Sequence, residues 1–192
     1  MQIEFEATFT NIDKDRMRKK LSSAGATLVR AEYLQKRIVF KLPYGHEIPG
    51  GWLRVRDEGN KTTMSLKVVS GNKIEDQKEI CLTVDDFDNG VSFLKSIGCI
   101  QKAYQESKRE LWSLEDVEIT IDEWPFLEPF VEVEGKSKEQ VERVSKLIGF
   151  DYSRALFCAV TKLYSDKYGI PMNVINDHTE KIIFGGENPF RT

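Results

Sequence analysis

IEFEATF, residues 3–9, is the stretch on which the fold turns. Ile3, Phe5, Ala7 and Phe9 alternate with Glu4, Glu6 and Thr8, the period of a β-strand with one apolar face. The other face carries two carboxylates about 7 Å apart along the chain. The same alternation returns as FVEVEG (130–135), which sets Glu132 and Glu134 opposite Val131 and Val133. It returns with the opposite sign in WLRVRDE (52–58), where Arg54 and Arg56 oppose Leu53 and Val55, and in TTMSLKVVS (62–70), where Lys67 opposes Leu66 and Val68. Acids and bases are thus segregated by strand. An antiparallel sheet with one wet face explains any single strand. It does not explain the segregation, nor where the helices bury their apolar stripes. If the helices take the aliphatic strand faces, the charged faces turn toward one another inside a closed or nearly closed barrel.

Outward from that stretch, Asn11 or Asp13 can cap a helix that runs to about Ala24 and stops at Gly25. Residues 26–43 read as one long bent strand or two, and PYGHEIPGG (43–51) as a loop. Strands follow at 52–58, 62–70 and 77–84, a helix at 85–98, and strands at 99–114, 117–124 and 130–135. In 77–84 Glu79 and Cys81 oppose Ile80 and Leu82; in 117–124 Asp122 opposes Ile119 and Ile121. Strand 99–114 is ambiguous, because Arg109 shares parity with Leu111. Two helices are expected at 138–148 and 154–167, the second with a stripe of Leu156, Phe157, Val160, Leu163 and Tyr164. The reading is α+β: an eight-stranded antiparallel barrel with helices packed outside. It forms one domain over 1–169, and an irregular tail, 170–192, packs over one mouth or along the exterior.

The 192 residues carry a net charge of −3 and no long basic run, which gives no reason to expect nucleic acid. Cys81, Cys99 and Cys158 are odd in number and scattered, against a disulfide framework or a zinc site. With no leader-like N-terminus and no membrane-length apolar run, the expectation is a cytoplasmic protein, monomeric or homodimeric. His46 and His178 read as surface residues. Tyr152, Tyr164 and Tyr168 read as packing, as do Trp52, Trp112 and Trp124, although the tryptophans sit at strand ends where they could frame a mouth. The segment 13–20 reads as a charged helix face.

A cavity lined by both signs is costly to dehydrate unless something polyvalent fills it. A polyanion held by Arg and Lys, with a divalent cation held by carboxylates, satisfies both. Oxygen donors without a His or Cys cluster favour Mg²⁺ or Mn²⁺.

The ordered set of motifs resembles the CYTH family, the triphosphate tunnel metalloenzymes that include class IV adenylate cyclases and thiamine triphosphatases. The family's opening ExExK strand is matched by Glu4 and Glu6, with Thr8 at the lysine position. Leu53-Arg54-Val55-Arg56, Ser65-Leu66-Lys67 and Lys78-Glu79-Ile80 follow, then Arg109, Asp122, Trp124-Pro125 and Phe130 to Glu134. The resemblance covers about residues 2–165. It implies an eight-stranded tunnel in which Glu4, Glu6, Glu132 and Glu134 face a metal ion and Arg54, Arg56, Lys67 and Arg109 hold phosphate oxygens. Glu79 and Asp122 would share metal binding and the orienting of basic side chains. The implied activity is metal-dependent hydrolysis of inorganic triphosphate or a small organic triphosphate such as thiamine triphosphate. The alternatives are an adenylate cyclase acting on ATP, or a non-catalytic triphosphate or polyphosphate sensor. Thr8 brings no positive charge to a position tied in the family to the attacking water. Lys36, Arg37 and Lys41 are the candidates to stand in for it.

Overall fold

The computed structural model describes residues 1–191. Its strands are β1 (Gln2–Ile3), β2 (Phe5–Phe9), β3 (Thr27–Lys41), β4 (Gly51–Asp57), β5 (Thr62–Val69), β6 (Gln77–Val84), β7 (Ile100–Leu114), β8 (Val117–Glu123), β9 (Phe130–Gly135) and β10 (Lys181–Ile182). They follow one another around the sheet as β1-β6-β5-β4-β3-β7-β8-β9-β2, all antiparallel. The two ends of that order are adjacent in the chain, because β1 and β2 are one strand broken at Glu4. Gln2 and Ile3 pair with Glu79 and Lys78, whereas Phe5 to Phe9 pair with Gly135 to Val131. The sheet therefore curls into a nearly closed barrel. At the seam, Glu4 N–H donates to the Gln77 carbonyl (3.0 Å) and the Gln77 amide donates to the Glu6 carbonyl (2.8 Å).

The helices are α1 (Lys14–Ser23), α2 (Phe87–Ser96), α3 (Lys138–Leu147), α4 (Val160–Tyr168) and α5 (Met172–His178). Asp13, not Asn11, caps α1 by accepting from Arg16 N–H at 2.7 Å. Met17 and Leu21 of α1 and Val141 and Val144 of α3 join Ala7, Phe9, Ile119, Ile121, Val131 and Val133 in one core. Every strand residue in that set belongs to the aliphatic parity, so this core lies outside the barrel wall. The charged side of α1 is anchored as well: Arg18 meets buried Glu110, and Lys14 meets Glu123 and Glu32. Val91 and Leu94 of α2 cover Phe40 and Val55 in a second outer core. A Cβ at Gly90 would come within 3.2 Å of a Val55 methyl, so glycine lets α2 lie close on β4. Among the described residues no helix is long and apolar enough to cross a membrane.

Two sequence expectations need correction. The helix expected at 154–167 begins only at Val160, after a 3-10 turn at Tyr152–Arg154. Leu156 cannot be helical, because its N–H and C=O are bonded to Thr8 O (3.0 Å) and Thr8 N (2.9 Å) on the free edge of β2. The tail, expected to be irregular, forms α5 and the short parallel strand β10. Lys181 and Ile182 pair with Tyr104 and Gln105, on the part of β7 that extends beyond its pairing with β8. Residues 27–41 are a single strand, bent by register shifts between Leu28 and Arg30 and between Arg30 and Tyr33.

Candidate active site

The side chains of opposite parity face the barrel interior. Register fixes which ones: Glu132 stands between Thr8 and Thr120, Glu134 between Glu6 and Glu118, Arg109 beside Asp122, Arg37 between Arg56 and Gln105, Arg54 beside Ser65, and Lys67 between Glu79 and Trp52. Leu111 shares the inner face with Arg109, opposite Thr120, which resolves the ambiguity of that strand. All eleven residues singled out in the sequence are on this inner surface or at its seam. Glu6, Thr8, Arg54 and Asp122 are buried, and Glu4, Arg56, Lys67, Glu79, Arg109, Glu132 and Glu134 half-buried.

The acids gather around the seam. One carboxylate oxygen each from Glu4, Glu6 and Glu134 lies within 4.8 Å of the other two. A hard cation with ligands at about 2.1 Å needs oxygens about 3–4 Å apart, so small side-chain shifts suffice. Burial, followed by the nearby carboxylates, pushes all three upward in pKa: Glu6 well above its ordinary value, Glu134 to about 7. Glu132 is also pushed up to about 7 by burial and by Asp122, against the pull of Arg109. Carboxylates crowded to this degree repel one another until a cation joins them. Lys67 lies among them, its Nζ 2.9 and 2.8 Å from the two Glu4 oxygens and 3.9 Å from Glu79, and Glu6, Glu4 and Glu79 together outweigh burial to raise its pKa.

The bases line the wall made by β3, β4 and β7. Arg54 pairs with Glu79 at 3.1 Å, and Arg56 with Glu58 at 2.6 Å. Arg109 makes a two-pronged contact with Asp122 (2.8 and 2.9 Å) and a third with Glu132 (2.6 Å). Burial and the neighbouring Arg56 lower Arg54 to about 10. Glu79 goes the other way: burial would raise it, but Lys67 and Arg54 hold it at about 2. Its position between the two cations makes it their orienting anion. Nε of Arg54, Nε of Arg56 and the Thr63 hydroxyl are buried without a partner, so the wall keeps unused hydrogen-bond capacity.

Of the three cations considered as stand-ins at Thr8, Lys36 and Lys41 are exposed, Lys41 pairing with Asp177, and only Arg37 enters the barrel. Its signal was present: Leu34, Ile38 and Phe40 carry the outer parity, which sends Gln35 and Arg37 inward. Glu58 went unread although it closes the stretch 52–58 on the parity of Arg54 and Arg56; the structure places it just past β4, against Arg56.

One end of the interior is apolar. Trp124 follows directly on β8, and Phe130 opens β9, where it pairs with Asp122. They are buried with Leu163 and Tyr164 of α4, Ile175 of α5, Ile182 of β10 and Phe190. Gly169, at φ +67°, ends α4 in a left-handed turn that sends the chain back across this end. The Tyr164 and Tyr168 hydroxyls donate to the Pro125 and Phe126 carbonyls, each at 2.7 Å, pinning α4 there.

Fold and interior together define a class: an antiparallel barrel whose inner wall carries opposed acidic and basic faces. The CYTH domain profile matches residues 46–163, well over half of the chain, and the chain belongs to the CYTH family. Its structure is similar to a conserved hypothetical protein from Pyrococcus furiosus (TM-score 0.68, 22% identity, covering 83% of this chain and 99% of that one). It is similar to a candidate adenylate cyclase from Vibrio parahaemolyticus (TM-score 0.72, 12% identity, 85% and 98% covered). It also resembles a Hippeastrum candidate adenylyl cyclase described as having a dominant triphosphatase activity (TM-score 0.54, 14% identity, 88% and 98% covered). No curated protein matches the sequence at a significant level.

Proposed function

We propose that this protein is a divalent-metal-dependent triphosphatase acting on inorganic triphosphate or a small organic triphosphate. The observation that carries the reading is the placement, on the inner face of one barrel, of the Glu4–Glu6–Glu134 cluster and the cations Arg54, Arg56, Lys67 and Arg109. Glu4, Glu6 and Glu134, with Glu132 beside them, are the residues that would hold Mg²⁺ or Mn²⁺. When bound, the cation would supply charge neutralisation on phosphate oxygens and activation of water.

Phosphoryl transfer asks mainly for positioning and charge stabilisation. Arg54, Arg56 and Arg109 are already held in fixed orientations by Glu79, Glu58 and Asp122, so a triphosphate meets donors that need little rearrangement. Lys67 sits between the acidic and basic faces and would bridge a phosphate to the metal side. Thr8 offers only a hydroxyl and no charge, so it would add little to activating water, and hydrolysis would be slow. The likeness to a Hippeastrum protein with triphosphatase activity is compatible with this reading. The test is a panel of tripolyphosphate, thiamine triphosphate, ATP and GTP with Mg²⁺ or Mn²⁺, measuring released phosphate and cyclic nucleotide together. Phosphate release without cyclic product is expected. Cyclic AMP with pyrophosphate would replace the hydrolase by a cyclase, and binding without turnover would leave a sensor.

A further inference from the structure

Arg37 differs from every other cation in the barrel. Arg54, Arg56, Lys67 and Arg109 each have a carboxylate partner; among the described residues Arg37 has none within ion-pair distance. It is nevertheless only 5% exposed. Its Nη2 donates to Gln35 Oε1 at 2.9 Å and to the Ser107 hydroxyl, which in turn donates to Gln35 Oε1 at 3.1 Å. Its guanidinium lies 4.3 Å above the Trp124 ring, which fixes the plane of the fork. Two donors in this group are left over: Nε of Arg37 and Nε2 of Gln35 are buried without partners. A guanidinium cannot shed its proton, and an unpaired buried charge costs several kcal/mol. The neutral contacts with Gln35 and Ser107 hold the side chain in place but leave that charge uncompensated. The group is built for an anion.

Its place in the barrel narrows the anion. Trp124 belongs to the apolar cluster with Phe130, Leu163, Tyr164 and Ile182, and Gln105, the strand neighbour of Arg37, opens with Lys102, Thr161 and Asn176 on a small cavity beside it. The Glu4–Glu6–Glu134 cluster lies toward the other end of β9, two residues beyond Glu132. A linear polyanion reaching past the carboxylates thus meets Arg37 beside the Trp124 ring.

We infer that Gln35, Arg37 and Ser107, backed by Trp124, seat the free terminal phosphate of a triphosphate at the Trp124 end of the barrel. The inference rests on the triphosphate reading above. It makes this trio a specificity device: a chain with one unesterified end fits, and a chain esterified at both ends collides with Trp124 and Phe130. A terminal phosphate also has the charge and the acceptor oxygens to take up the Arg37 fork, the Gln35 amide and the Ser107 hydroxyl together.

Calorimetric titration with tripolyphosphate, and with a dinucleoside triphosphate blocked at both ends, tests this on the full chain. Wild type should bind the blocked compound at least about 100-fold more weakly than tripolyphosphate, the loss of two charge-assisted contacts. Arg37→Met should weaken tripolyphosphate about 10- to 150-fold, one such contact. Its Tm without ligand should be unchanged or higher, because an uncompensated charge has gone; a purely structural arginine would lower Tm and leave affinity alone. Arg37→Lys should recover part of the affinity, and Gln35→Leu should lose less than Arg37→Met. Equal binding of blocked and unblocked compounds by wild type, or unaltered tripolyphosphate affinity in Arg37→Met, would overturn the inference while the tunnel reading stands. If wild type binds no tripolyphosphate and Arg54→Ala changes nothing, the tunnel reading itself falls.

Discussion

Asp122→Ala isolates how the basic wall is held. Asp122 is fully buried; it accepts from Arg109 Nε at 2.8 Å and Nη2 at 2.9 Å, and from the Thr120 hydroxyl at 2.6 Å. Truncation strips Arg109 of its two-pronged partner and leaves Glu132, at 2.6 Å, as its remaining anion. Removing one member of a buried pair costs about 3–5 kcal/mol. The surviving Glu132 contact places this case near about 3 kcal/mol. For a chain of this size each kcal/mol moves Tm by about 2–4 °C, so Tm should fall by roughly 6–12 °C. Asp122→Asn keeps an acceptor for Nε but loses the charge, and should fall about half as far. Thermal and urea unfolding of the metal-free protein measure both, and the double variant Asp122→Leu/Arg109→Met supplies the control. With both charges replaced by apolar groups, it should be more stable than Asp122→Ala alone. A drop below about 1 kcal/mol for Asp122→Ala would refute the account, because it would mean water reaches Arg109 and compensates it.

Glu134→Gln removes one of three clustered carboxylates, and Mn²⁺ affinity read by titration should fall at least about 10-fold while the protein stays folded; unchanged affinity would remove Glu134 from the metal site. Thr8→Lys puts a cation beside Glu132 on the inner face and should raise kcat for tripolyphosphate with a smaller change in Kd; a folded variant that turns over no faster would show that another group already does this work. Metal-free stability should fall as pH rises from about 4.5 to 7: Glu132 and Glu134 keep their protons up to about 7 when folded but ionise near 4.3 when unfolded, so the folded state binds more protons in that window. Glu79, held at about 2, contributes with the opposite sign and below that window. Added Mn²⁺ should flatten the decline, and a stability profile rising between pH 4.5 and 7 would contradict the crowding of these acids.

Where strands alternate cleanly, side-chain parity was enough to tell which residues face the interior. IEFEATF, WLRVRDE and FVEVEG each named their inner residues, because a β-strand has only two faces and the aliphatic one was taken by helices. Long-range competition for backbone groups was not legible. The stripe Leu156–Tyr164 has helical spacing, yet Thr8 claims the peptide of Leu156, and no local pattern announces that pairing. The tail misled for a related reason: Ile182 gains a strand partner only because β7 outruns β8. Arg37 was visible by parity but indistinguishable in role from Lys36 and Lys41. What sets it apart is the absence of a counterion, a property of three-dimensional surroundings and not of sequence.

The break at Glu4 also has a consequence for biosynthesis. One half of the opening strand pairs with β6 and the other with β9, so its second partner is the last barrel strand to be made. At ordinary elongation rates the ribosome takes roughly 6–25 s to travel from Phe9 to Phe130. Through that interval the outward residues Phe5, Ala7 and Phe9 have no strand to lie beside, and Glu4 and Glu6 interrupt them at every second position. Those alternating charges make the waiting segment a poor template for pairing with another nascent chain. The glutamates at the seam would thus act as gatekeepers of the unfinished polypeptide before there is any barrel interior for them to line.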